Sequence, residues 1–151
     1  MRKKLSFINN RFKITGGDMT HTATFRVRYS ETDRMGYMYY GNYAAWFEVG
    51  RVELLRSLGL TYRKMEDDGV ILPVRDFTVR YFKPVKYDDE VYLETELTVL
   101  SGPKITFDYV LRDAHGNKLC TSTIVLVFCH KSSGRPTRAP QELEKALKSK
   151  D

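Results

Sequence analysis

Tyr40-Gly41-Asn42-Tyr43-Ala44-Ala45-Trp46-Phe47-Glu48-Val49-Gly50-Arg51-Val52-Glu53-Leu54-Leu55-Arg56-Ser57-Leu58-Gly59 is the long stretch of this chain in which apolar residues leave the two-residue period. Tyr43, Phe47, Leu54 and Leu58 follow helical spacing, and Ala45, Val49 and Val52 broaden the stripe past a single seam. Gly59 followed by Leu60 reads as a left-handed stop with a hydrophobic contact behind it. The expectation is one long helix, largely covered by other structure.

On both sides the period returns to two. Phe25, Val27 and Tyr29 share one face of a strand, with Thr24, Arg26 and Arg28 on the other. After the helix, a short apolar run from Val70 to Val74 is broken by Pro73, and Phe77, Val79 and Tyr81 alternate before Lys83-Pro84. Val91, Leu93, Leu97 and Val99 form a strand that turns at Ser101-Gly102-Pro103 into Ile105, Phe107, Tyr109 and Leu111. Asp113-Ala114-His115-Gly116-Asn117 turns again into Leu119–Phe128, apolar on both faces near its end, as a central strand is. The class is α+β: one strand, one long helix, then four or more largely antiparallel strands. One helix cannot shield both faces of that sheet, so an edge or a face is left for a second subunit.

The ends differ from this body. Residues 1–19 read as a flexible leader, residues 20–140 as the domain, and residues 141–151 as a charged tail holding a short, frayed helix at most. The formal net charge is +6, but residues 20–129 hold fourteen basic and fifteen acidic side chains. The basic excess is terminal, and the body offers no phosphate-tracking stripe for a nucleic acid. No run approaches the roughly 18 apolar residues of a membrane span, and polar residues from Asn9 onward interrupt any secretion signal. Cys120 and Cys129 fall on one expected strand, about 30 Å apart at roughly 3.3 Å per residue, which points to free thiols and a cytoplasmic protein.

Just before the helix lies Glu31-Thr32-Asp33-Arg34-Met35-Gly36-Tyr37-Met38-Tyr39. A loop carboxylate here is followed by a helix start, whose unpaired N–H groups and partial positive charge suit a developing oxyanion. The histidines, at 21, 115 and 130, show neither metal-ligand spacing nor a Ser-His-Asp order, and no nucleotide-binding glycine fingerprint is present.

Tyr29, Glu31, Thr32, Asp33, Gly36, Tyr39 and Tyr43, then Phe47, Glu48, Arg51, Glu53, Leu55 and Arg56, closely resemble the pattern of acyl-CoA thioesterases of the 4-hydroxybenzoyl-CoA thioesterase type. Pro84 with Asp88-Asp89-Glu90-Val91, and Gly134-Arg135-Pro136, extend the likeness over residues 22–140. Tyr37-Met38 departs from that family's small β-branched pair, which implies a differently shaped acyl pocket.

The resemblance implies the hot-dog fold, an antiparallel sheet of five to six strands wrapped around one long central helix. It implies hydrolysis of a small or medium acyl-CoA, aliphatic or aromatic, without metal or redox cofactor. Asp33 would be the catalytic carboxylate, as nucleophile or as base, and the Tyr40 amide the oxyanion donor. Gly36, Tyr37, Met38, Tyr39, Asn42 and Tyr43 would shape the substrate pocket. Glu48 is a second acid candidate, its plain alternative being an ion pair with Arg51; Glu53 with Arg56 is a similar pair. For CoA, Arg80, Lys83, Lys86, Lys131, Arg135 and Arg138 are candidates, with the Lys131–Arg138 loop favoured for phosphate. The family forms dimers with helices side by side and active sites at the subunit boundary, and often dimers of dimers.

Three other readings stay open. Acyl-carrier protein could replace CoA as the carrier. A hot-dog hydratase would pair its carboxylate with a histidine, and none follows Asp33 within fifty residues. A non-catalytic acyl-thioester binder would not need the acidic loop.

Overall fold

The computed structural model describes residues 6–8, 11–13 and 19–149. Five antiparallel strands carry the architecture: β3 (Thr20–Arg26), β5 (Val74–Tyr81), β6 (Glu90–Ser101), β7 (Lys104–Arg112) and β8 (Lys118–Val127). Their order across the sheet is β3-β6-β7-β8-β5, so the strand before the long helix and the strand after it occupy opposite edges. Two short strands, β1 (Ser6–Ile8) and β2 (Arg11–Lys13), form a hairpin that continues the sheet where β2 meets Val99–Ser101 of β6. These two strands lie within the expected leader; residues 1–5, 9–10 and 14–18 are outside the described residues.

The helix α1 (Tyr43–Ser57) lies on one face of this sheet, against β3 and β6. Beneath it the inward positions of three neighbouring strands are buried, among them Val91, Leu93 and Leu97, Phe107 and Leu111, and Cys120 and Ile124. Alternate positions, such as Glu94, Asp108, Thr121 and Thr123, are only half-buried. That is the pattern of an antiparallel sheet packed on one side and wetted on the other, and it is the hot-dog arrangement that the motif implied. Burial of this inward face is the main stabilising term, at roughly 25 cal/mol per Å² of apolar surface.

The helix is less covered than its sequence suggested. Trp46, Phe47, Leu54 and Leu55 are buried, but Ala45 is exposed, Val49 is 42% exposed and Val52 is half-buried. These three residues form an apolar strip, of which Ala45 and Val49 share a groove with Thr24, Phe25 and Arg26 of the edge strand β3. The stop is as expected: Gly59 has φ +86° and the Leu60 N–H reaches back to the Leu55 carbonyl at 3.0 Å. Helix and sheet meet closely at Gly50, where a Cβ would stand 2.2 Å from Thr95 Oγ1 and 3.0 Å from Leu93 Cδ2. Gly50→Ala is expected to cost about 1–3 kcal/mol by forcing α1 off β6, read from the denaturation midpoint. Adding Thr95→Ala should recover most of it, because Thr95 Oγ1 is buried without a hydrogen-bond partner.

Several local readings are corrected. The strand before the helix ends at Arg26, and Tyr29 starts a 3-10 turn (Tyr29–Glu31) instead of extending the strand's inner face. A second helix, α2 (Tyr62–Asp67), follows α1, started by Thr61, whose hydroxyl accepts from the Lys64 N–H. Val70–Ile71 is a separate short strand, β4, that pairs with β9 (Cys129–His130). Cys129 is therefore on a different strand from Cys120; both are buried free thiols, and burial pushes Cys120 up to about 12. The tail is a docked helix, α3 (Gln141–Lys148), with Leu143 and Leu147 buried on one face four residues apart.

Candidate active site

The site is built from the segment between β3 and α1. Arg28 to Met38 is a loop closed on itself by four backbone bonds: Glu31 to Arg28, Thr32 to Tyr29, Asp33 to Tyr37, and Gly36 to Asp33, all 2.8–3.1 Å. Gly36 has φ +81°, the left-handed conformation that the reversal after Asp33 needs and that only glycine takes without strain. Two bonds then fasten the loop to the body. The Met38 N–H donates to the Val85 carbonyl and the Tyr39 N–H to the Glu31 carbonyl.

Glu31 is the brace. Its side chain is buried; Oε2 accepts from Trp46 Nε1 at 2.9 Å, and Oε1 accepts from the Arg28 N–H at 2.9 Å and from Arg28 Nε at 3.1 Å. Burial pushes this carboxyl up, but the Arg28 and Trp46 donors outweigh it and hold the group below its ordinary range. The Asn42 amide donates to the Glu31 carbonyl at 2.9 Å, so Asn42 ties the helix entrance to the loop. The sequence assigns Glu31 no role of its own, because its Trp46 partner is brought to it by packing.

Asp33 is half-buried two residues further on. One carboxylate oxygen, Oδ1, accepts from the Met35 N–H at 2.8 Å, which fixes the side chain's direction. No donor among the described residues reaches Oδ2. Asp33 lines a cavity of about 320 Å³ together with Tyr37, Met38, Tyr40, Tyr43 and Lys83; Met35, Tyr81, Phe82 and Pro84 complete it. The sequence names none of the last four as a pocket residue. Tyr81 and Phe82 come from the end of the opposite edge strand, which only the sheet order brings beside Tyr43.

The helix enters this cavity through a 3-10 turn, Tyr40–Asn42, that runs into α1. The Asn42 N–H is taken by the Tyr39 carbonyl at 3.0 Å. The Tyr40 and Gly41 N–H groups precede the first internal bond and have no acceptor among the described residues, as the geometry of a helix start requires. Tyr43 is buried at the cavity wall, edge-on to Tyr81 with centroids 5.1 Å apart, and burial raises its phenol far above the ordinary tyrosine range.

The remaining candidates fall elsewhere. Tyr39 is 45% exposed, tilted against Tyr40, and does not line the cavity. Glu48 is exposed on α1 and makes no ion pair with Arg51, which turns inward and donates to the Tyr62 hydroxyl at 3.2 Å. Glu53 does pair with Arg56, at 3.5 Å and in solvent. Of the basic candidates, all among the described residues, only Lys83 lines the cavity. Arg80 lies on the outer sheet face beside Asp108 and Thr121. Lys131 donates its N–H to the Gly69 carbonyl, and Arg135 accepts at its carbonyl from His130, so that loop is fastened near the end of α2. Arg138 is exposed and is not part of the cavity wall. Among the described residues no cluster of His, Cys, Asp or Glu could hold a metal, and no helix is long and apolar enough to cross a membrane.

A sheet of this order, its helix entrance and a free carboxylate oxygen on one cavity wall define a class, and the comparisons agree with it. Residues 27–147 match the family model of the thioesterase-like superfamily, and the chain belongs to that family of thioester hydrolases. It is 36% identical over 110 residues to the putative acyl-CoA thioesterase YneP of Bacillus subtilis, covering 73% of this chain and 80% of that one. It is 34% identical over 104 residues to the acyl-CoA thioester hydrolase YbgC of Escherichia coli O157:H7, covering 69% and 77%. Among solved structures, the DHNA-CoA thioesterase from Staphylococcus aureus superposes with a TM-score of 0.82 at 31% identity, over 86% of this chain and 89% of that chain.

Proposed function

We propose that this member of a thioester-hydrolase family cleaves a small or medium acyl-CoA, aliphatic or aromatic, to a carboxylic acid and free CoA. The observation that carries the reading is that Asp33 and the helix entrance at Tyr40 share the walls of one aromatic cavity. The free oxygen of Asp33 attacks the thioester carbonyl or takes a proton from the water that does. Negative charge then grows on the carbonyl oxygen, where the Tyr40 N–H and the positive end of α1 stabilise it. The carbon–sulfur bond breaks and the sulfur leaves with one proton of the water consumed. Where Asp33 itself attacks, that water hydrolyses the acyl–aspartyl anhydride, so by either route the acyl group ends as a carboxylate and Asp33 is regenerated. Tyr37, Met38, Tyr43 and Tyr81 suit a flat or short acyl group, and Lys83 stands at the rim for the carrier.

The exposed strip of Ala45, Val49 and Val52 on α1 supports a homodimer with helices side by side, which would place the cavity at the subunit boundary. The test is thiol release from a panel of acyl-CoAs of varied length and aromaticity, run beside the same acyl groups on acyl-carrier protein. Hydrolysis of CoA thioesters supports the reading; faster turnover of the carrier-protein forms replaces CoA as the carrier. Tight acyl-CoA binding without thiol release over hours would leave a binding protein instead.

A further inference from the structure

We propose that the stacked pair Tyr29–Tyr87, outside the cavity, is a platform for the adenine of the carrier, with Lys83 and Lys86 meeting its phosphates on the way. This rests on the reading of the chain as an acyl-CoA thioesterase and adds the nucleotide end of that site. The two rings lie 3.8 Å apart with planes 16° from parallel, yet Tyr29 remains 75% exposed and Tyr87 45% exposed. One broad aromatic face is thus held flat and left open to solvent.

Both backbones are fixed independently of the rings. The Tyr29 carbonyl accepts from the Thr32 N–H at 3.1 Å and the Thr32 hydroxyl at 2.8 Å. Tyr87 sits in a turn where the Lys86 N–H donates to the Asp89 carboxylate at 2.9 Å and the Asp88 N–H to the Val27 carbonyl at 3.0 Å. The same connection joins platform to cavity: Lys83 and Pro84 line the cavity, Tyr37 bridges to Lys86, and Tyr87 follows. A nucleobase stacks on any exposed aromatic face, so the platform needs no base-specific hydrogen bond.

Two lysines without a carboxylate partner suit a phosphate-bearing occupant. Of the nearby carboxylates, Glu31 pairs with Arg28, Asp88 and Glu90 share Arg26, and Asp89 accepts from the Lys86 N–H, so none of these four is paired with a lysine ammonium. Neither Lys83 nor Lys86 has a carboxylate within 4.0 Å among the described residues, and both are exposed. The ammonium groups of Lys83 and Lys86 are therefore open to a phosphate, on the connection that runs from the cavity to the stack.

The experiment compares acyl-CoA with the same acyl group on pantetheine, which lacks the nucleotide. Wild type should show a lower KM for acyl-CoA. Tyr29→Ala should raise that KM about tenfold, within the range for loss of one base stack, with kcat within twofold and acyl-pantetheine kinetics unmoved. Tyr29→Phe should restore the wild-type KM, and Tyr87→Ala should reproduce the defect. Inhibition by adenosine 3′,5′-bisphosphate should weaken in Tyr29→Ala by the same factor. Equal KM for the two substrates in wild type, or equal losses on both in Tyr29→Ala, overturns the platform while leaving the hydrolase intact. Failure of every thioester to turn over would instead overturn the reading beneath it.

Discussion

Asp33→Asn is expected to lower kcat/KM for the best acyl-CoA by at least about a hundredfold, since a positioned carboxylate contributes about 10²–10⁴-fold. The substitution is a fair test because the side chain has a structural duty that asparagine keeps. Its amide oxygen can still accept from the Met35 N–H, which Asp33 Oδ1 now meets at 2.8 Å, so the turn through Gly36 persists. What disappears is the negative charge on the oxygen that no donor among the described residues engages. Thermal denaturation should be unchanged while thiol release collapses. Turnover close to wild type would remove Asp33 from the mechanism and turn attention to Glu48, the second acid candidate, exposed on α1.

The second large effect falls on stability, at Glu31. Glu31→Ala leaves the Trp46 N–H buried without an acceptor and frees Arg28 from the loop. Hydrogen bonds to a charged group contribute about 1.5–3 kcal/mol each where buried, while the Arg28 partner is exposed and screened. A net loss of about 2–4 kcal/mol is expected, a Tm drop of roughly 5–15 °C for a domain of this size. The effect depends on pH in a defined direction. Glu31 is held below its ordinary range in the folded chain, so its contribution is present above the unfolded carboxylate value of about 4.3 and is lost as pH falls through the lower folded value. The stability gap between wild type and Glu31→Gln should therefore be full at pH 7 and shrink as pH drops below about 4. A gap that is constant or widens in acid would show that the carboxylate does not brace the loop in its charged form.

Much of this was legible along the chain because it is local. The spacing of Tyr43, Phe47 and Leu54 fixes a helix, Gly59 ends it, and alternation sets the hairpins at Gly102 and Gly116. Where local spacing misled, a distant partner intervened. Three residues separate Glu48 from Arg51, the separation of an ion pair, but the Tyr62 hydroxyl from α2 draws Arg51 inward. The run of charges in the tail hid Leu143 and Leu147, whose four-residue spacing was a readable sign of a docked face. Arg80 sits between Val79 and Tyr81, so strand alternation alone could have placed it on the face away from the cavity.

Spacing along the chain is enough for the long helix, the five main strands, the loop carboxylates and their kinship with thioester hydrolases. Only packing gives Glu31 its duty beside Asp33, the acid two residues on that the family pattern already singles out. Trp46 from α1 and Arg28 capture the first, while the fastening of Met38 to Val85 turns the second toward Tyr81 and Lys83. The environment of a carboxylate is made by atoms far away in the chain, and neighbours in sequence carry no record of it until the sheet edges meet.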